Sequence, residues 1–183
     1  MPKQKKKKFE ILEQKGNKFL WKGKDLINWD VEVERRMMKE LAGKCFWDIL
    51  IVGYEMGLIQ KYLSENSKVK KIVTIEKEKE IVEECQENFG KVYGEVFIGN
   101  FFKDDFGIKF DCVVSDVCKE IMLESLSNYR RFKKRAEKLL KPHGMILGYG
   151  KNYFEYLIDD KAKKPKFKVE NKEGEKINVE EEF

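Results

Sequence analysis

In this chain of 183 residues, a glycine-bounded segment, VGYEMG at Val52 to Gly57, and three later residues, Glu76, Asn100 and Asp116, have types and spacing that point to chemistry. A glycine turn between a strand and a helix lets the backbone approach a ligand and aims the helix N-terminus at it. Here Gly53 and Gly57 bound the turn, but Glu55 stands in the middle place where a glycine is expected. A carboxylate there repels a pyrophosphate, which disfavours NAD and ATP. It suits a ligand with positive charge, such as a sulfonium that also carries an amino group. The alternative is a turn that only connects strand to helix. Glu76 closes an apolar run, where an acidic side chain can accept both hydroxyl protons of a ribose; it also opens the charged run EKEKE and could simply face water. Asn100 can donate and accept through its amide, as an adenine edge requires, although alone it discriminates little. Asp116 follows CVVS, a place from which a carboxylate orients or deprotonates an acceptor nucleophile. The same aspartate could equally cap the following KEIM segment.

The elements that would position these residues follow from hydrophobic periodicity. DILIVG (48–53), KIVTIE (71–76), VYGEVFIG (92–99), FDCVVSD (110–116) and MILGYG (145–150) are short apolar runs of the kind found in strands buried on both faces. Between them lie helical patterns at 58–65, at 78–89, and over a long stretch carrying Leu126, Tyr129, Phe132, Ala136 and Leu139. That last helix ends in the stop signal KPHG, which makes His143 a turn residue rather than a base. Strands alternating with helices imply right-handed crossovers and a doubly wound, mostly parallel α/β sheet, with ligands at the carboxyl ends of the strands. Ahead of this unit, FEILEQ and KFLW read as a small β-hairpin turning at Gly16 and Asn17, and Asp30 reads as the cap of a helix that runs to Gly43. The predicted organisation is a basic disordered arm at 1–8, a hairpin and helix at 9–43, and a Rossmann-like domain at 44–183. The final KFKVENKEGEKINVEEEF reads as a closing hairpin.

Composition narrows the class. With 42% hydrophobic and 39% charged residues and only 3 prolines, the chain suits one globular domain that needs no covalent staple. Four cysteines without a C-x-x-C spacing and a single histidine build neither a zinc site nor a disulfide framework, so no metal is expected and a reduced, cytoplasmic setting is the default. Cys118 has no histidine near it to lower its pKa and reads as packing. No apolar run is long enough to span a membrane. The net charge of +5 equals the contribution of Lys3, Lys5, Lys6, Lys7 and Lys8 alone. That arm is either a solvated terminus or a weak nucleic-acid contact. The basic face of RRFKKRAEKLLK poses the same choice between solvation and RNA.

Taken in order, DILIVGYEMG, KIVTIEKEKEIVEECQENF, VFIGNFF, FDCVVSD and RAEKLLKPHGMILGYG resemble the motifs of the class I S-adenosylmethionine-dependent methyltransferase fold over about residues 48 to 150. Within it the chain is similar to the spermidine synthase group through VKKIVTIEKEKEIVEECQENF, FLWKGKDLINWDVEVERRMM and the preceding hairpin. It is also similar to the guanidinoacetate methyltransferase group through VGYEMG, Trp29, Met37, Met38 and KLLKPHG. The resemblance implies S-adenosyl-L-methionine, or its decarboxylated form, as cofactor. The contacts it implies are Gly53, Glu55 and Gly57 on the methionine side, Glu76 at the ribose and Asn100 at the adenine, with Tyr54, Met56, Lys77 and Phe101 as further cofactor contacts and Asp116 as both a cofactor contact and the catalytic carboxylate. Asp116 matches the first aspartate of the spermidine synthase pattern D-S-S-D-P. The sequence then reads Val117, Cys118, Lys119, so a lysine stands where a second aspartate would grip a diamine. Methyl transfer to a small-molecule or exposed nucleophilic acceptor is the expected activity, with aminopropyl transfer or a non-catalytic adenosyl-ligand or RNA-binding module as alternatives. A homo-oligomer is compatible with this reading.

Overall fold

The inner strands of the central sheet are apolar and largely buried on both faces because helices cover both. The computed structural model describes residues 7–115 and 126–148, with only the backbone for 126–129 and for the strands at 166–170 and 176–180. Five strands, β4 (Trp47–Val52), β5 (Val69–Glu76), β6 (Glu95–Ile98), β7 (Phe110–Ser115) and β8 (Leu140–Gly148), form one sheet in the order β6-β5-β4-β7-β8, with every neighbouring pair parallel. Alternate residues of β4 go to opposite sides, as the two-residue period of a strand demands. Ile49 and Ile51 pack with Met38 and Leu41 of α1 (Glu32–Lys44), Ile59 and Leu63 of α2 (Leu58–Ser64) and Ile81 and Cys85 of α3 (Lys79–Phe89). Leu50 and Val52 pack with Phe132, Ala136 and Leu139 of α4 (Leu126–Leu139). Burying one such side chain is worth about 1.5–3 kcal/mol, so the two layers hold the sheet from both sides.

Several boundaries differ from the sequence expectation. The expected hairpin is present as β1 (Phe9–Gln14) and β2 (Asn17–Lys22), joined through Lys15 and Gly16 with φ of 52° and 75°, the two left-handed residues of a type I′ turn. A third strand, β3 (Asp25–Asp30), pairs with β2 and makes it a meander. Asp30 therefore ends a strand rather than capping α1. Val31 occupies the cap position without a side-chain bond, and Asp30 instead accepts the Arg35 guanidinium. Strand β6 begins at Glu95, not Val92, because Gly94 at φ 76° lies so close to Ile72 that a Cβ would fall 2.6 Å from its carbonyl oxygen. KPHG does not separate α4 from β8. The strand starts at Leu140, and His143, at φ 67°, absorbs the register shift opposite Phe110 and Cys112. The closing hairpin is present as β9 (Lys166–Glu170) and β10 (Lys176–Glu180), an antiparallel pair. Asp116, Val117, Cys118 and Lys119 lie outside the described residues, as do residues 1–6. No helix among the described residues is long and apolar enough to cross a membrane.

The meander is fastened to the central unit through α3. Its Phe9, Ile11 and Leu20 join the α1–α3 core layer, while Phe19, Trp21 and Trp29 turn to the opposite face and cluster with Val31. Glu84, only 5% exposed, accepts the Ile11 N–H at 3.0 Å, the Asn88 amide at 3.0 Å and the Lys7 ammonium at 2.7 Å. Lys7 also pairs with Glu87, and Lys8 with Glu78. These two lysines of the basic segment are thus matched by carboxylates of α3 and its cap. At the amino end of the sheet, Lys141 bonds Asp48 at 2.7 Å and Asp111 at 2.8 Å. Burial pushes the Asp111 carboxyl up, but the Lys141 ammonium and the Asp48 N–H outweigh it and hold the group below its ordinary value.

Two predictions follow from these anchors. In Glu84→Ala the Ile11 N–H loses its acceptor, so amide exchange in β1 should accelerate about tenfold or more while β4 keeps its protection, as read by hydrogen exchange. Equal acceleration in both strands would show that the meander is not separately anchored. Because the folded Asp111 pKa is depressed, its contribution is complete above the unfolded carboxyl value of about 3.9 and is lost as pH falls through the folded value. Lys141→Met should therefore lower the thermal midpoint at neutral pH, and its gap from wild type should narrow on acidification below about pH 4.

Candidate functional site

The carboxyl ends of β4, β5 and β6 bring the expected ligand-binding residues to one rim of the sheet. Past Val52, the Gly53 N–H bonds the Ile75 carbonyl at 2.9 Å, which prolongs the β4–β5 pairing by one step. The chain then turns: the Gly57 N–H bonds the Tyr54 carbonyl at 2.8 Å, and the Lys61 N–H bonds the Gly57 carbonyl at 3.0 Å as α2 begins. Gly57 sits at φ 71° with a would-be Cβ only 3.0 Å from the Tyr54 hydroxyl, so both conformation and space call for glycine. Glu55 also takes a left-handed conformation, φ 47°. This position is glycine-like in geometry while carrying a carboxylate, a local strain of the kind that persists where the surroundings hold it in place. The Cys85 thiol donates to the Glu55 carbonyl at 3.1 Å; burial pushes that thiol up to about 12, so it stays protonated and able to donate.

Glu76 ties this loop to the next. It is 6% exposed at the end of β5, and its Oε2 accepts the Tyr54 N–H at 2.8 Å while Oε1 accepts the Glu78 N–H at 2.7 Å. Each carboxylate oxygen has a second acceptor site, so two backbone bonds leave capacity for ligand hydroxyls. The backbone carbonyl of Glu76 accepts the Gly99 N–H at 2.8 Å, which aligns the end of β6. There Asn100 forms a tight turn: its Oδ1 accepts the Phe102 N–H at 2.9 Å and its N–H bonds Asp104 at 2.6 Å. One acceptor site of the side-chain oxygen is thus engaged, and the amide nitrogen and the second acceptor site are what Asn100 can offer a ligand.

The other expected contacts divide by burial. The side chains of Tyr54 and Met56 lie in the α1–α3 core layer, and burial pushes the Tyr54 phenol up. Phe101 lies in the α4 layer, its ring 5.3 Å from that of Phe132. Near the site, these residues contribute backbone and packing. Lys77 is exposed beside Glu76. Met37 and Met38 are buried on α1, and Trp29 lies in β3. Ser115 ends β7 at the same rim, and Asp116 follows it outside the described residues. Sequence reasoning missed Gln60, which is fully buried with its amide 3.4 Å from both the Gly53 carbonyl and the Thr74 hydroxyl beneath the loop. Its signal was a polar residue at a core position of the apolar run LIQKYL.

Among solved structures the architecture is the class I methyltransferase fold. An S-adenosylmethionine-dependent methyltransferase from Clostridium acetobutylicum aligns at a TM-score of 0.50 and 14% identity, over 78% of this chain and 59% of that one. The DhpI complex with SAM and HEP aligns at 0.52 and 13% identity, over 82% of this chain and 70% of that one. The DhpI complex with SAH gives 0.50 and 13% identity, over 82% and 67%. The chain thus spans 59% of the length of the first of these proteins. No family model and no curated relative matches it.

The geometry makes Glu76 the joint between the loops after β4 and β5. Glu76→Gln places an NH2 group against one of two N–H donors, a mismatch worth about 1–3 kcal/mol. The thermal midpoint should fall by about 2–10 °C. A midpoint unchanged from wild type would mean that the carboxylate does not join the loops.

Proposed function

We propose that the protein is an S-adenosylmethionine-dependent transferase that moves a methyl group to a small-molecule or exposed nucleophilic acceptor. The observation that carries this reading is the left-handed, acidic turn at Gly53, Glu55 and Gly57, bonded through the Tyr54 N–H to Glu76 at the end of the neighbouring strand. Such a rim fits the cofactor. Its acidic side chains suit a sulfonium and two ribose hydroxyls and oppose a pyrophosphate. In this reading Gly53, Glu55 and Gly57 hold the methionine side, Glu76 accepts from the ribose, and Asn100 donates to the adenine. When bound, the cofactor supplies an electrophilic methyl group. Asp116, next in sequence after the β7 end, orients the acceptor and takes its proton. Lys119, where the spermidine synthase pattern has a second aspartate, disfavours a cationic diamine and so favours methyl over aminopropyl transfer.

Calorimetric titration with S-adenosylmethionine, its decarboxylated form and methylthioadenosine tests the reading. The first should bind best, and Glu55→Ala should weaken it about tenfold. Asp116→Ala should lower kcat by about 10²–10⁴ while leaving affinity intact. Preference for the decarboxylated ligand would move the assignment to aminopropyl transfer, and silence from all three would overturn it.

A further inference from the structure

The adenosyl rim leaves unexplained the exposed face of α4 and the amino end of the sheet. Helix α4 buries Phe132, Ala136 and Leu139 and exposes Arg130, Arg131, Lys133, Lys134, Glu137 and Lys138. Residues four apart lie on one face, so Arg130, Lys134 and Lys138 form a stripe with steps of about 6 Å. Some exposed lysines elsewhere are matched: Lys7 and Lys8 by α3 and its cap, Lys71 by Glu95, Lys79 by Glu83. On the α4 face the one carboxylate is Glu137, 4.0 Å from Lys133. Among the described residues Arg130, Lys134 and Lys138 have no ion pair. Lys109 adds a further ammonium at the helix end by donating to the Lys138 carbonyl.

Beyond the end of α4 the chain leads to an exposed aromatic ring. Two residues past the helix, Lys141 is neutralised by Asp111 and by Asp48, the neighbour of Trp47. Trp47 is 51% exposed and takes φ 59°, a conformation that costs energy for a bulky residue and that a merely solvated turn would give to glycine. The ring is held edge-on by Phe46 at 5.4 Å, its residue's N–H bonds the Lys68 carbonyl at 2.8 Å, and the Lys70 ammonium lies 5.5 Å from the ring centre. An aromatic ring fixed in solvent beyond a helix whose Arg130, Lys134 and Lys138 have no ion pair among the described residues is a combination that suits single-stranded nucleic acid, the ring stacking on a base and the cations meeting phosphates. A basic helix face followed by a ring at the amino end of the sheet suits a strand better than a plane.

We propose that this face, from Arg130 through Lys134 and Lys138 to Lys70 and Trp47, binds a single-stranded nucleic acid. The proposal does not depend on the adenosyl site. It is tested on the full chain with a fluorescein-labelled mixed-sequence RNA of about 12 nucleotides, followed by anisotropy across a salt series. Binding should weaken with salt, with a log–log slope of about −2 or steeper, and should quench tryptophan fluorescence. Replacing Arg130, Lys134 and Lys138 together by glutamate should weaken binding tenfold or more and flatten the slope, with circular dichroism unchanged. Trp47→Gly relieves the left-handed strain, so the fold survives; it should lower affinity about tenfold and abolish the quenching. The proposal is overturned by no binding at low salt, by charge reversal that leaves affinity and slope unaltered, by Trp47→Gly binding as wild type does, or by preference for phosphatidylglycerol vesicles over RNA.

Discussion

A buried carboxylate that must be satisfied organises the functional end of this protein. Glu76 is almost sealed from water, and an ionised group there is tolerable only if donors surround it. Two backbone N–H groups do so, one from the loop after β4 and one from the turn after β5. Bonds of this charge-assisted kind are stronger than neutral ones and directional, so they fix the relative placement of the two loops. The left-handed turn at Glu55, the start of α2 at Gly57 and the β6 end at Gly99 are all placed relative to that carboxylate or its own backbone.

The same logic recurs at Glu84 on α3. A helix laid on a sheet has one face for the core and one for water, yet here its water-side edge receives the meander. The meander brings an unpaired strand N–H, Ile11, and two lysines, and Glu84 with its neighbours accepts them. Apolar burial of Phe9, Ile11 and Leu20 holds the meander against the core, and the carboxylate fixes its register.

Charge is distributed unevenly over the surface. Around α3 the lysines meet carboxylates; along α4 they largely do not. The exposed face of α4 thus carries more cations than carboxylates.

The sequence by itself determined the alternation of strands and helices, the parallel sheet and the strand-end position of the candidate residues, because periodicity and glycine punctuation are local properties. It also marked Glu55 as standing in a glycine's place, which the left-handed backbone there explains. It could not place what depends on residues far apart in the chain. The third strand of the meander becomes visible only when Asp25 to Asp30 pairs with β2, and Asp30 is then drawn from capping α1 to binding Arg35. Lysines that read as a free arm meet carboxylates seventy or more residues away, and Tyr54 and Met56, read as ligand contacts, turn their side chains into the core. Only tertiary structure decides such matters, because the desolvation that makes Glu76 and Glu84 demand partners exists only once the chain has closed around them.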